Sequence, residues 1–354
     1  MKRRTFLKAV GSIATGSALG VQSIVGGCQP TSKSSIEKVA GLPRRVLGRT
    51  GRQVSIVGFP GLALAHYDQD RCNAGLHNAF ERGVNYFDVA PAYGNGDAEI
   101  KMGIGLQGID RSQIFLACKT KMRDKVRALM ELERSLLRLK TDYFDLYQLH
   151  HLRTPEEVKQ ALGPDGAMEA ILKAKEQGKI KYIGFSAHTT TGALEAMKGF
   201  RFDTVMFPIN FVEFFQMDFG KPVLELADKQ GAGVLAIKPL STGTWPEGAE
   251  RTRKWWYRTT ETQEEVNLAI RFTLSQKRVA AGIPPSFLDL LDKAIEAGKS
   301  YHPITKAETK KLQETAKTCG SVFRREEEQV ARGGLIHEPV YPDSPHECFQ
   351  CAYV

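Results

Sequence analysis

Eight short runs rich in β-branched or aromatic residues, separated by longer amphipathic segments, restrict this chain to very few folds. The runs are Val54 to Phe59, Tyr86 to Ala90, Ile114 to Lys119, Phe144 to His150, Tyr182 to Ser186, Thr204 to Pro208, Gly233 to Pro239 and Val279 to Ile283. Strands that alternate with helices pack as a parallel sheet wrapped by those helices. Arg123 to Leu137 is the clearest helix, and the spacing of Leu129, Leu132, Leu136 and Leu137 predicts one face against the sheet. Eight such units close most naturally into a (β/α)8 barrel, which takes about 250 residues. An open doubly wound sheet shares the alternation but wants a Gly-rich fingerprint after an early strand, and none follows Val54 to Phe59.

Arg45 to Val54 reads as a hairpin with its turn at Thr50-Gly51, placed to plug the lower end of the barrel. Ser241 to Glu264 is a long insertion carrying Trp245, Trp255, Trp256 and Tyr257, and loops of that length in compact domains are usually functional. The organisation expected is an export signal over 1–27, a tether over 28–43, the barrel over 44–304, and a C-terminal helix and tail over 305–354.

Four ionisable residues fall at equivalent places in successive β/α units. Asp88 lies near the end of the second run, Tyr93 in the loop after it, Lys119 at the end of the third and His150 at the end of the fourth. In a barrel these strand ends converge on one face, where such folds keep their active sites. The set suits hydride chemistry at a carbonyl, because the developing alkoxide needs a proton donor and a positive surrounding. Lys119 is expected to lower the pKa of the Tyr93 phenol, Asp88 to hold Lys119 charged, and His150 to donate to the carbonyl oxygen. His151 should point to the other side of its strand, and Cys118 likewise.

Asn85-Tyr-Phe-Asp-Val-Ala-Pro-Ala-Tyr-Gly94, Phe115-Leu-Ala-Cys-Lys-Thr120 and Asp142-Tyr-Phe-Asp-Leu-Tyr-Gln-Leu-His150 resemble the three tetrad motifs of aldo/keto reductases, in the same order and spacing. The resemblance runs from about Leu47 to Ala297. It implies a nicotinamide-dependent oxidoreductase in which Tyr93 is the acid in reduction and the base in oxidation.

The resemblance also implies a site for NADP or NAD built from Phe59, Ser186, His188, Asn210 and Ser286, together with the loop residues Lys238, Pro239, Leu240, Ser241 and Gly243. Ser186 corresponds to the serine that binds the nicotinamide carboxamide, and 238–243 to the segment whose N–H groups meet the diphosphate. Three positions depart from the family pattern: Ala187 stands where Asn is common, Met206 where Gln is usual, and Ile237 where an aromatic residue stacks on nicotinamide. His188 either replaces the missing Asn contact, faces substrate, or is a loop residue without a role. After the eighth run, Ile283 to Leu290 carries no cation and an acid at Asp289, so both nicotinamide forms stay open.

The N-terminus, Met-Lys-Arg-Arg-Thr-Phe-Leu-Lys, resembles a twin-arginine export signal. Val25-Gly-Gly-Cys28 resembles a lipoprotein processing site, with Gln29 to Ser35 as a flexible tether; cleavage after Gly20 is the alternative. A periplasmic or membrane-anchored location is expected. The 1–27 segment holds four cations and no acid, so its removal takes the formal charge from +9 to +5. No basic block interleaved with aromatics remains to suggest a nucleic-acid partner. Cys348 and Cys351 read as a local disulfide, with free thiols or a metal as alternatives, although the tail has too few thiolates for an iron-sulfur cluster. No metal site is expected. Export and the tryptophan-rich loop make a sugar or polyol the expected substrate, since indole faces stack on pyranose C–H surfaces, while the same residues could be loop packing. Two other classes share these features: a redox-neutral glycoside-cleaving enzyme with a retained cofactor, and a binding subunit on the same barrel.

Overall fold

The computed structural model describes residues 37–334. Cys28, Cys348 and Cys351, the 1–27 segment expected as an export signal and the end of the tail lie outside the described residues. Three strands open the chain as an antiparallel sheet: β1 (Lys38–Val39), β2 (Leu42–Val46) and β3 (Gln53–Ser55). Eight more form one parallel sheet in sequence order: β4 (Phe59–Pro60), β5 (Tyr86–Asp88), β6 (Phe115–Thr120), β7 (Phe144–Leu152), β8 (Ile180–Ala187), β9 (Thr204–Pro208), β10 (Gly233–Ile237) and β11 (Val279–Ile283). A parallel bridge between Val57 and Gly282 joins the last strand to the first and closes the barrel.

The outer layer is α1 (Gln69–Glu81), α2 (Asp97–Gly105), α3 (Lys125–Leu139), α4 (Pro155–Leu162), α5 (Ala167–Glu176), α6 (Thr190–Gly199), α7 (Phe211–Met217), α8 (Lys221–Gln230), α9 (Gln263–Leu274) and α10 (Leu288–Lys299). Side-chain caps start most of them: the carboxylates of Asp68 and Asp124 and the hydroxyls of Thr154 and Thr189 each accept a first-turn N–H. Among the described residues no helix is long and apolar enough to cross a membrane.

The run Val54 to Phe59 divides into two strands. Gln53–Ser55 pairs with β2, while Phe59–Pro60, preceded by the Val57 bridge to Gly282, joins the barrel. The hairpin is there, with a longer turn than a two-residue one: a 3-10 turn over Gly48–Thr50, ended by Gly51 at φ 67°. Its tip fits because Gly48 lies against Gly233, where a Cβ would come within 2.1 Å of the backbone nitrogen. Leu47 then packs with Val54, Tyr86, Phe115 and Leu235 inside the barrel's lower end. Strand β1 begins at Lys38, within the 28–43 segment expected as tether, and Leu42 is fully buried against the barrel.

On α3, Ala128, Leu132, Ser135, Leu136 and Leu139 face inward. Leu137 does not join Leu132 and Leu136: it is 79% exposed, on the outer face with Val126 and Met130. Beyond the barrel the tail adds α11 (Lys306–Ala316) and α12 (Arg324–Ala331), two helices rather than one. The turn before α12 is tied to α7, whose Glu213 carboxylate accepts from Val322 N–H at 2.7 Å and from Ser321 Oγ at 2.5 Å.

Candidate active site

Side chains alternate along a strand, so Tyr86 and Asp88 on β5 share the inward face, as do Ala117 and Lys119 on β6 and Gln148 and His150 on β7. Register pairs Asp88 with Ala117 and Lys119 with Gln148, which steps the functional groups up one end of the barrel. There Lys119 Nζ meets Asp88 Oδ2 at 2.5 Å, the Val89 carbonyl at 3.1 Å and Tyr93 Oη at 3.3 Å. The Tyr93 ring stands edge-on to the His150 ring, with centroids 5.7 Å apart. All four expected residues are buried in one cluster.

Two partners of this cluster were not anticipated. The Tyr86 hydroxyl, two residues back on the same face, donates to Asp88 Oδ1 at 3.4 Å. Arg123 Nη2 donates to the carbonyls of His150 and His151 at 2.9 and 3.1 Å, pinning the strand end that carries His150. The β7–β8 pairing shifts register between Leu149 and Leu152, and His151 has φ 59°. Simple alternation therefore fails at His151, whose ring lies 4.1 Å from that of His188. Cys118 is buried with its thiol towards Glu99, away from Lys119.

Burial decides the electrostatics. It pushes the Tyr93 phenol up to about 12, although the Lys119 charge pulls the other way as expected. Burial alone would lower the Lys119 ammonium, but Asp88 and Tyr93 hold it above its ordinary value, so it stays charged. Tyr93 is thus a phenol with its proton in place, beside a fixed positive charge.

A cleft opens from Asp88, Tyr93 and His150 towards Ser186, His188 and Lys238. Met206, Ile237 and Ile283 supply its apolar surface, while Pro60 to Leu62 and Pro284 to Ser286 form its rim. Trp255, Trp256 and Tyr257 of the long loop also line it, and all three are buried. The loop returns on its own stem: Thr242 N–H donates to the Arg258 carbonyl and Thr260 N–H to that of Leu240. Arg253 fastens the far side with bidentate contacts to Glu261 and Asp289.

Ser186, His188, Lys238 and Ser286 are in the cleft as the sequence suggested; the other expected contacts are not among its lining residues. Phe59 turns outward and stacks on Phe87, because β4 presents the next residue, Pro60, to the cleft. Leu240 is core, and Pro239 packs towards Gly282. Asn210 caps α7, its Oδ1 accepting from Glu213 N–H. The 241–244 segment keeps its donors for itself: Gly243 N–H goes to Ser241 Oγ, Thr242 N–H to Arg258 and Thr244 N–H to the Gly320 carbonyl. Gly243, at φ 92°, is required there, since a Cβ would come within 2.2 Å of that carbonyl. Asp289 does have a cation beside it, Arg253, delivered by the loop rather than by neighbouring sequence and already shared between two carboxylates.

The family model described as "Aldo/keto reductase family" matches residues 59–318. The chain belongs to that family. It is 28% identical over 218 residues to probable aldo-keto reductase 1 of Glycine max, covering 56% of this chain and 59% of that protein. To L-galactose dehydrogenase of Arabidopsis thaliana it is 26% identical over 224 residues, 57% of this chain and 67% of that one. The chain therefore spans about three fifths to two thirds of these relatives. Among solved structures, aldo-keto reductase AKR11C1 from Bacillus halodurans in its holo form superposes with a TM-score of 0.64 at 25% identity, covering 80% of this chain and 99% of that one. Members of this aldo/keto reductase family are NAD(P)-dependent oxidoreductases.

The cleft fits such a dinucleotide at its nicotinamide end. Ser186 Oγ accepts from His151 N–H at 2.8 Å, which leaves its own hydrogen to donate. Met206, Ile237 and Ile283 give an apolar bed in place of a stacked aromatic ring, and the Lys238 side chain lines the cleft beside them.

Proposed function

We propose that this protein interconverts a carbonyl and an alcohol with a nicotinamide dinucleotide, acting on a sugar or polyol outside the cytoplasm. The observation that carries the reading is Lys119 Nζ held between Asp88 Oδ2 at 2.5 Å and Tyr93 Oη at 3.3 Å, buried behind the two cleft-lining groups. The bound dinucleotide would supply or accept hydride, with Ser186 and Lys238 among the residues that hold it.

In reduction, Tyr93 gives its proton to the oxygen of the former carbonyl. A phenol this reluctant to ionise makes the transfer complete only once charge has developed on that oxygen, and the Lys119 ammonium stabilises the phenolate left behind. Asp88 keeps Lys119 charged. His150, edge-on to Tyr93, is placed to donate to the same oxygen and orient it. In oxidation the phenolate takes the alcohol proton back.

The paired indoles at the cleft and the Arabidopsis relative's name favour a sugar or polyol. Consumption of NADH and NADPH with a panel of aldoses, ketoses and polyols is the test, and Tyr93→Phe is the control. Turnover confined to apolar aldehydes would reject the sugar assignment, and none with any carbonyl or alcohol would reject the oxidoreductase.

The tethered aromatic loop also favours a second reading, a glycoside-cleaving enzyme whose retained dinucleotide is oxidised and reduced within each turnover. Glycoside cleavage without net change in cofactor absorbance separates it from the first. The twin-arginine segment and Cys28 would place either enzyme beyond the cytoplasmic membrane. Loss of membrane association in Cys28→Ser tests the lipid anchor.

A further inference from the structure

Strand β7 carries a surplus residue at the edge of the cleft. Its register with β8 runs from Leu149 opposite Phe185 to Leu152 opposite Ala187, three steps against two, and His151 takes up the difference at φ 59°. A bulge of this kind re-aims the side chains beside it. It also turns two successive carbonyls, which leave an extended strand on opposite sides, towards one place. There Arg123 Nη2 donates to both, at 2.9 Å to His150 and 3.1 Å to His151. The peptide between His150 and His151 is thus held at both ends, its carbonyl by Arg123 and its N–H by Ser186 Oγ at 2.8 Å.

Arg123 is itself built in. Its carbonyl accepts from Ala167 N–H at 2.9 Å, at the start of α5, and its neighbour Asp124 bridges to Gly166. On α4, Glu157 lies 3.4 Å from Arg123 Nη2, and the same carboxylate accepts from the backbone N–H, Nε and Nη2 of Arg153. The Arg123 side chain is only 12% exposed, yet Arg123 is not among the residues that line the cleft. What it does for the reaction therefore passes through His150 and Ser186, which do line it.

We propose that Arg123 is a positioning residue for the carbonyl and alcohol reaction, setting the His150 imidazole edge-on to Tyr93 and in register with Ser186. This rests on the function proposed above. A neutral side chain at 123 leaves the bulge without the cation that gathers its carbonyls, and β7 is then free to relax towards regular pairing. Relaxation turns His150 away from the Tyr93 edge and draws the His151 N–H off Ser186. The chemistry loses its orienting donor while Asp88, Lys119 and Tyr93 stay in place.

The experiment is single-turnover oxidation of NADPH or NADH on a verified substrate, with dinucleotide saturating. Arg123→Met should lower the rate by about 10- to 100-fold, the scale of misplacing a reacting group by about 1 Å. Arg123→Lys should recover most of it, because a single nitrogen makes both carbonyl contacts. In a His150→Ala background, Arg123→Met should change the rate by no more than about twofold, since the group it positions is gone. Leu132→Ala, which loosens the fold elsewhere, should leave the rate near that of the parent. An unchanged rate in Arg123→Met, or equal losses in both backgrounds, would overturn the assignment and leave the function reading standing. Should Arg123→Met not fold, Glu157→Gln, which loosens Arg123 without removing it, gives the same comparison with a smaller loss. If the parent turns over no carbonyl or alcohol, the function reading fails, and proton–nitrogen NMR of the histidine rings tests the positioning by itself: the His150 signal should move in Arg123→Met and not in Leu132→Ala, and an unmoved signal overturns it.

Discussion

Lys119 Nζ and Asp88 Oδ2 are 2.5 Å apart with both side chains almost wholly withdrawn from water. A buried pair of this kind gains little net stability, because desolvating two charges offsets their attraction. Its value is positional: a fixed ammonium beside a phenol that burial holds up at about 12 even with that charge in place. The barrel carries the two on adjacent strands, β5 and β6, and the loop after β5 returns Tyr93 to them. Three short sequence segments thereby become one electrostatic device.

Tyr93→Phe removes the proton donor and leaves the ring that packs against His150. We expect turnover to fall by about 100-fold or more, the usual loss for a general acid, with cofactor affinity nearly unchanged. Steady-state rates on a verified substrate and a fluorescence titration with cofactor measure the two separately. Near-normal turnover would remove Tyr93 from the chemistry.

Lys119→Met should be inactive for a related reason and unstable for a different one. It leaves Asp88 as an uncompensated buried carboxylate, a loss of about 3–5 kcal/mol. Adding Asp88→Asn should restore much of that stability and none of the turnover. Denaturant unfolding of the single and double variants checks the first statement, and kinetics check the second. A double variant as unstable as the single would mean that the ion pair is not the cause.

The barrel and the clustering of Asp88, Tyr93, Lys119 and His150 could be read from the sequence because both follow local rules: strand and helix periods alternate, and the strand ends of a barrel converge on one face. What could not be read depends on chain brought from elsewhere. Phe323, from the tail, packs against His188 and Lys238, and nothing near residue 323 signals it. Arg253 reaches Asp289 across 36 positions. The backbone donors of 242–244 looked available until the loop folded onto them. Strand alternation failed at His151 because the strand carries an irregularity there. Tyr86 was the one omission with a usable signal, its place two residues before Asp88.

Helix α3 offers a clean test of which leucines hold the fold. Leu132 is buried against the barrel and Leu137 points to solvent. Leu132→Ala should cost about 2–5 kcal/mol. Leu137→Ala should stay within about 0.5 kcal/mol of the parent. Equal losses in thermal or denaturant unfolding would contradict this orientation of the helix.

Arg253 is the residue on which the aromatic loop's closure turns. Its guanidinium contacts Glu261 on the loop's return and Asp289 at the start of α10, and lies 4.8 Å from the centre of the Phe287 ring. Trp255, edge-on to that same ring, is one of the residues lining the cleft. Arg253→Ala therefore frees the loop at the point where its aromatic end meets the rim, while leaving Tyr93 and Lys119 untouched. A bound dinucleotide should dissociate about tenfold faster or more, equivalent to losing about 1.4 kcal/mol of closure. Stopped-flow displacement of cofactor fluorescence reads that rate. Lysine at 253 keeps the charge but not the paired geometry, so it should recover only part of the effect. An unchanged release rate in Arg253→Ala would show that the loop does not gate the cofactor, and the captive-dinucleotide cycle would lose its structural support.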